Sequence, residues 1–174
     1  MKHSSHATLA IFGASARAAA QSARRAGFEV FAADLFADED TQEAAKRCVR
    51  IYAYPHEFAA ALATAPPGPW MYSGGLENYP DLVDAISKLR PLWGCSAAAL
   101  RRVRDPLALY TALAQAGLPA LAVRESPVGL DAAERWLVKP RASSGGRSVA
   151  FADSVLDEEP IGNSARSSKA SVYY

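Results

Sequence analysis

The fold is decided at residues 7–34, which read ATLAIFGASARAAAQSARRAGFEVFAAD. A short apolar run at 7–12 ends at Gly13 and predicts a buried strand. The alanine-rich stretch 14–26 predicts a helix that ends at Gly27, because glycine readily takes the left-handed conformation of a helix C-terminus. A second apolar run at 28–33 leads into Asp34 and predicts another strand. Strands joined through a helix lie parallel, so these residues predict a β-α-β unit.

The alternation of strands and helices continues to about residue 95 and then changes. Further strands are predicted at 48–52 and 70–72, with a short strand or extended connection at 91–94, and helices at 39–47, 55–64, 78–89, 96–103 and 106–116. Beyond Pro119 only short strands are predicted, near 121–123, 136–139 and 148–151. We therefore expect an α/β fold with a doubly wound parallel sheet at 1–100, followed by the start of an α+β domain at 101–174.

The composition is that of a globular chain whose positive and negative charges are nearly balanced. The 174 residues are 50% hydrophobic with a formal net charge of +1, which allows a sizeable core and argues against nucleic acid as a partner. No apolar run reaches the length of a membrane span, so we expect no membrane partner and a cytoplasmic location. Cys48 and Cys95 lack metal-ligand spacing and are predicted to be reduced, buried thiols.

Three polar segments follow predicted parallel strands, and the carboxyl ends of such strands share one edge of a sheet. They are Gly13 to Arg17 (with Ser15 and Ala16), then Asp34, and then Ser73 to Asn78 (with Gly74, Gly75 and Glu77). Their convergence predicts a cleft for a small ligand, with free N–H groups at the first segment favouring an anion.

Each segment also has a simpler interpretation. The first can be a tight turn without a ligand, Asp34 a solvated turn or helix cap, and Asn78 the cap of the following helix. A dinucleotide fingerprint needs glycines where this chain has Gly13, Ser15 and Ala18, so NAD binding is poorly supported.

A second candidate site begins at Trp136-Leu137-Val138-Lys139-Pro140 and continues through a small-residue loop to Val149. A lysine on an apolar strand can offer a point charge to phosphate oxygens, and a glycine loop lets backbone N–H groups approach them. The predicted nucleotide contacts are Lys139, Ser143, Ser144, Gly145, Gly146 and Arg147. The alternative is a β-hairpin whose glycines only supply positive φ. The lysine precedes the glycines, so this is not a P-loop.

Together these segments resemble the ATP-grasp superfamily, particularly its predicted ATP-dependent carboligases and carboxylate-amine ligases. The resemblance rests on 12–18 with 33–38, on 73–78, and on 136–140 with Gly145 and Gly146, while 103–119 resembles the helix that enters the ATP domain. It implies a pre-ATP-grasp domain followed by a lid subdomain, with Lys139 on the α and β phosphates and 143–147 folding over the triphosphate. It also implies ATP and a small carboxylate as ligands, the carboxylate being converted to an acyl phosphate that an amine attacks.

The chain departs from the family pattern in two places. Pro106 stands where many ATP-grasp enzymes carry a first ATP-binding lysine. The second subdomain, which carries the adenine contacts and the Mg²⁺ ligands, has no counterpart, and the acidic run 157–159 is interpreted as a solvated turn. We therefore expect the N-terminal portion of a ligase, inactive alone, with no catalytic residue or metal ligand named and the Mg²⁺ ligands in the missing C-terminal part.

Two other function classes are considered. One is a Rossmann-like domain that senses a small anionic ligand without catalysis, through 13–17 and 73–78. The other is a NAD-dependent oxidoreductase, which the single fingerprint glycine at Gly13 disfavours.

Overall fold

The structure is a computed structural model that describes residues 7–126, 130 and 133–152, together with the backbone of 171–173. The chain divides into two compact units, Met1–Leu100 and Arg101–Tyr174. Each unit is described by itself.

The first unit is built on a four-stranded parallel sheet. Its elements are β1 (Thr8–Phe12), α1 (Arg17–Arg25), β2 (Glu29–Asp34), α2 (Glu39–Ala44), β3 (Arg47–Arg50), α3 (Phe58–Thr64), β4 (Trp70–Tyr72), a 3₁₀ helix (Leu76–Asn78) and α4 (Pro80–Ser87), and α5 (Ala97–Val103) begins in it. The strands lie in the order β3-β2-β1-β4. Trp70 also forms a parallel bridge with Leu92, which lies in the extended connection predicted at 91–94.

Helices cover both faces of this sheet, as the alternation along β1 shows. Leu9 and Ile11 pack with small side chains of α1 and α2, whereas Ala10 and Phe12 pack on the opposite face with apolar residues of α3, α4 and α5. Successive side chains of a strand point to opposite faces, so strands that are apolar throughout need cover on both. The predicted doubly wound sheet is confirmed.

Local chemistry explains where the helices of this unit begin. Asp38 precedes α2, and its carboxylate accepts the backbone N–H of Thr41 at 3.0 Å. Hydrogen bonds from the Thr41 hydroxyl and backbone N–H lower the pKa of Asp38. Pro80 occupies the first turn of α4, where its missing N–H costs no hydrogen bond.

The described part of the second unit contains one further helix and a small antiparallel sheet. The helix α6 (Pro106–Gln115) begins after Asp105, whose carboxylate accepts the N–H groups of Leu107 and Ala108. The strands β5 (Leu137–Pro140), β6 (Ala150–Phe151) and β7 (Ser171–Tyr173) lie in the order β6-β5-β7. Both pairings with β5 are antiparallel.

Among the described residues, the core of the second unit is small. It consists of Trp136, Val138 and Ala152, with Leu130 packed against them. Many of the other apolar side chains are exposed, among them Leu109 on α6 and Phe151 on β6.

Three predictions differ from the structure. Residues 121–123 form no strand, since their backbone lacks a partner strand in the described part of the chain. Cys95 is exposed instead of buried, whereas Cys48 is half-buried and both are free thiols. Strand β7 was not predicted, because a three-residue strand after a polar stretch has no local periodicity. The acidic run 157–159 lies outside the described residues.

Candidate functional site

Three loops meet at the carboxyl edge of the parallel sheet, and backbone hydrogen bonds join them. We call residues 13–17, 34–37 and 73–78 the carboxyl edge. Gly13 N–H donates to the Ala33 carbonyl at 3.2 Å, and Ala14 N–H donates to the Gly74 carbonyl at 3.0 Å. The Leu35 N–H donates to the Ala14 carbonyl at 3.3 Å. The convergence of loops expected from the strand order is therefore present.

Gly13 is the point of closest approach between the first and third loops. A Cβ atom at this position would lie 1.9 Å from Ser73 Oγ and 3.1 Å from Ser73 Cβ. The Ser73 hydroxyl donates to the Ser15 carbonyl at 2.7 Å, so it is held against the glycine. Gly13 therefore serves packing between loops, as tight β-α turns often require.

Asp34 is fully buried beneath the carboxyl edge. One carboxylate oxygen accepts the Ala16 N–H at 2.9 Å, and the other accepts the N–H groups of Phe36 and Ala37 at 3.1 and 2.7 Å. The start of α1 attracts an anion, and at the Ala16 N–H this anion is the Asp34 carboxylate of the chain itself. The Asp34 carboxylate therefore holds the loops after β1 and β2 together by hydrogen bonds, and its oxygens are not presented to a ligand.

The charged groups at the edge also have partners within the protein. Arg17 is half-exposed and lies 3.5 Å from Asp40 and 3.9 Å from Asp38, so its charge is partly balanced. The Glu77 carboxylate accepts the Gly75 N–H. Asn78 belongs to the 3₁₀ helix, and the residue directly before α4 is Tyr79, which makes no side-chain cap.

Tyr54 packs against the carboxyl edge, and sequence reasoning missed it. Its phenol oxygen is buried without a hydrogen-bond partner among the described residues. It packs beside Gly75, where an added Cβ would lie 2.3 Å from the Tyr54 oxygen, and its ring contacts Phe58 and Tyr79. Burial, and then the nearby Glu77 carboxylate, raise the pKa of Tyr54 above its ordinary range. No local pattern marks it, because the contact joins positions 21 residues apart.

The second candidate site lies on the central strand of the second unit. Val138 is buried and pairs with Ala150 of β6, whereas Lys139 is exposed and pairs with Val172 of β7. Alternation along the strand therefore directs the lysine away from the small core of this unit. Lys139 therefore lies on a strand, as predicted.

Residues 141–149, which we call the glycine flap, connect β5 to β6. Gly145 and Gly146 both have positive φ, at 65° and 72°, and a Cβ added at either would meet no atom within 4 Å. Arg147 N–H bonds the Ser144 carbonyl at 3.4 Å, so the turn is loosely closed. The flap is exposed from Ser144 to Val149, which leaves its backbone open to a ligand.

No group of three or more His, Cys, Asp or Glu side chains that could hold a metal ion occurs in the part of the chain that the structure describes. Within the same ranges no helix has the length and apolar character needed to cross a bilayer.

A concavity of about 520 Å³ that was not predicted opens beside α2 and β3. Lys46 and Arg50 line it, but Lys46 pairs with Glu29 at 2.7 Å and Arg50 Nε donates to the Leu35 carbonyl at 3.2 Å. Both cationic groups thus have partners within the protein.

Comparison with known proteins gives matches at the level of structure. No protein-family model matches the sequence, and no curated protein is detectably similar to it. N5-carboxyaminoimidazole synthetase from Staphylococcus aureus, solved with ADP, matches with a TM-score of 0.63 and 18% identity, over 83% of this chain and 41% of that one. The L-amino acid ligase from Bacillus licheniformis matches with a TM-score of 0.60 and 18% identity, over 84% and 39%. Biotin carboxylase from Campylobacter jejuni, in a β-γ-ATP complex, matches with a TM-score of 0.59 and 20% identity, over 82% and 37%.

These enzymes are ATP-grasp proteins, and the match covers their N-terminal portion. This chain has the N-terminal ATP-grasp fold. The resemblance predicted from 12–18 with 33–38, from 73–78, and from 136–140 with Gly145 and Gly146 is thereby confirmed for the fold. The chain spans less than half the length of these ATP-grasp structures.

Proposed function

We propose that this chain is the N-terminal portion of an ATP-dependent ligase that activates a small carboxylate for attack by an amine or a similar nucleophile. Its fold is that of the N-terminal part of ATP-grasp ligases, including one solved with ADP. The observation that carries the proposal within this chain is the placement of Lys139 on β5 directly before an exposed glycine flap.

In this proposal Lys139 contacts the phosphates of ATP. An ammonium group is a compact charge that can follow phosphate oxygens as they move. The flap residues Ser143, Ser144, Gly145, Gly146 and Arg147 add backbone N–H groups and one guanidinium, and phosphoryl transfer depends on such groups neutralising charge. No step is assigned to Mg²⁺, because no group of three or more possible ligand side chains occurs among the described residues.

The carboxyl edge is proposed to bind the carboxylate substrate. Ser15, Arg17 and Gly74 are exposed and Glu77 is partly exposed, and they lie on segments that hydrogen bonds hold in place. Gly13, Ala16, Asp34 and Ser73 support these loops from within. Rigid loops at the ends of parallel strands are where α/β proteins place ligand contacts.

The test is calorimetric titration of the full chain with ATP in the presence of Mg²⁺. Lys139→Ala should weaken ATP binding by about tenfold or more, which corresponds to one charged phosphate contact of ~1.4 kcal/mol. Lys88→Ala is the matched control, because Lys88 is an exposed lysine directly after α4 in the first unit and pairs with Asp84. Equal ATP affinity in wild type and Lys139→Ala would overturn the proposal. Loss of binding on changing Glu77 but not Lys139 would support a sensor domain instead.

We further propose that the chain alone turns over ATP negligibly, since it spans about two fifths of the length of the ligases it matches. Incubation with ATP, Mg²⁺ and mixed carboxylates should release phosphate no faster than a blank without protein. Release at an ordinary enzymatic rate, about 1 s⁻¹ or above, would contradict this.

A further inference from the structure

Arg104 links the start of α6 to the beginning of the glycine flap within the second unit. Its Nη2 donates to the Ser143 carbonyl at 2.8 Å and lies 3.4 Å from the Arg141 carbonyl, which it also bonds. The next residue, Asp105, caps α6, so the backbone that carries Arg104 is held at a helix start. One partly buried guanidinium thus holds two carbonyl groups of a segment 37 to 39 residues further along the chain.

These bonds belong to a group that holds the first residues of the flap. The Ser143 hydroxyl donates to the Pro140 carbonyl at 3.0 Å. The Arg141 guanidinium forms an ion pair with Glu125. The carbonyl groups of residues 140, 141 and 143 therefore all accept hydrogen bonds directly after Lys139, whereas the flap beyond Ser143 is exposed.

Holding a carbonyl also fixes the direction of the following N–H. In a planar trans peptide the C=O and N–H bonds point in opposite directions. When Arg104 binds the Ser143 carbonyl, the Ser144 N–H is turned away from Arg104, and the same applies to Ala142 N–H through the Arg141 carbonyl. Carbonyl oxygens would repel a phosphate. Because the guanidinium binds these oxygens on one side of the flap, the N–H donors of the same peptide groups face the other side.

We propose that Arg104 is a positioning residue of the phosphate site. It holds the carbonyls of Arg141 and Ser143 aside so that the flap presents N–H groups to the phosphates bound by Lys139. This inference rests on the proposed function, because it assigns Arg104 a role toward the same phosphate group. Arg104 does not itself touch the ligand in this account.

The experiment is calorimetric titration of the full chain with inorganic triphosphate, which tests the phosphate contacts without adenine. Arg104→Ala should weaken triphosphate binding about tenfold, the loss expected for one charge-assisted hydrogen-bond group. Arg102→Ala is the matched control, because it removes the same charge from an exposed position on α5, and its affinity should stay within about twofold of wild type. Arg104→Lys keeps the charge but lacks the planar fork, and about threefold weaker binding is expected.

A second readout separates positioning from simple stabilisation of the unit. Arg147 is exposed in the flap, so trypsin should cleave after it, and the peptide ending at Arg147 can be quantified by mass spectrometry. Saturating triphosphate should protect this bond in wild type and leave it cleavable in Arg104→Ala, with unchanged circular dichroism in both. If Arg104→Ala does not fold, Arg104→Lys decides by the same two readouts.

The outcomes distinguish this inference from the proposed function. If Lys139→Ala weakens triphosphate binding while Arg104→Ala behaves like Arg102→Ala, the role of Arg104 is refuted and the phosphate site stands. If Arg104→Lys folds and binds and protects like wild type, the role is refuted as well. If Lys139→Ala binds triphosphate as wild type does, the phosphate site fails and the role of Arg104 fails with it.

Discussion

Replacing Gly13 with alanine tests how tightly the carboxyl edge is packed. The new Cβ would lie 1.9 Å from Ser73 Oγ, 3.1 Å from Ser73 Cβ and 3.3 Å from the Ser73 carbonyl carbon. The hydroxyl can rotate away, but it then loses its 2.7 Å hydrogen bond to the Ser15 carbonyl. The remaining contacts are tighter than ordinary van der Waals distances, so the two loops must also separate slightly.

The expected loss follows from these contacts. A lost hydrogen bond costs about 1 kcal/mol, and overpacking of a tight site costs about 1–3 kcal/mol. Alanine recovers about 0.4–1 kcal/mol, because it restricts the unfolded chain more than glycine does. We therefore expect Gly13→Ala to lower the free energy of unfolding by about 2 kcal/mol.

Urea unfolding of the full chain, followed by far-ultraviolet circular dichroism, measures this loss. A double-mutant cycle with Ser73→Gly removes the atoms at 1.9 and 3.1 Å, so the cost of Gly13→Ala should fall below about 1 kcal/mol in that background. A cost of Gly13→Ala that is the same in both backgrounds, or near zero in wild type, would refute the packing argument.

Four further predictions concern Asp34, Tyr54 and Cys48. Asp34→Asn should lower the free energy of unfolding by about 2–3 kcal/mol, because an amide has one acceptor oxygen for the three N–H groups that Asp34 accepts; stability like that of wild type in urea would contradict it. Tyr54→Phe should leave stability unchanged or raise it by up to about 1 kcal/mol, since it removes an unpaired buried hydroxyl. Because the pKa of Tyr54 is raised in the folded chain, the unfolded phenol releases its proton first, so wild type should lose stability relative to Tyr54→Phe above about pH 10; parallel stability curves would contradict this. Burial, followed by the Asp34 and Asp38 charges, raises the pKa of Cys48 to about 11, so at pH 8 a disulfide reagent should modify exposed Cys95 at least about tenfold faster than Cys48, and equal rates would be contrary evidence.

The elements predicted well are those whose signal is local. Residues 7–34 contain two apolar runs separated by an alanine-rich stretch, and β1, α1 and β2 lie close to these predicted positions. Gly27 ends α1 with positive φ, as expected from its position. Strong local patterns also placed Lys139 on a strand before its loop.

The features missed depend on contacts between distant parts of the chain. Asp34 was predicted to face a ligand or solvent, but its burial arises from the loop after β1 folding over it. Tyr54 reaches Gly75, and Arg104 reaches Ser143, through the tertiary fold alone. The predicted strand at 121–123 failed because β-propensity without a partner strand does not form a sheet.

The most direct test of the account is to map the amide signals of the full chain by nuclear magnetic resonance while inorganic triphosphate is added. The account predicts that the Gly145 and Gly146 amides shift, that the shifts vanish in Lys139→Ala, and that the Gly13 and Gly74 amides remain in place. Shifts confined to Gly13 and Gly74, with the flap amides unchanged, would contradict it and place anion recognition at the carboxyl edge.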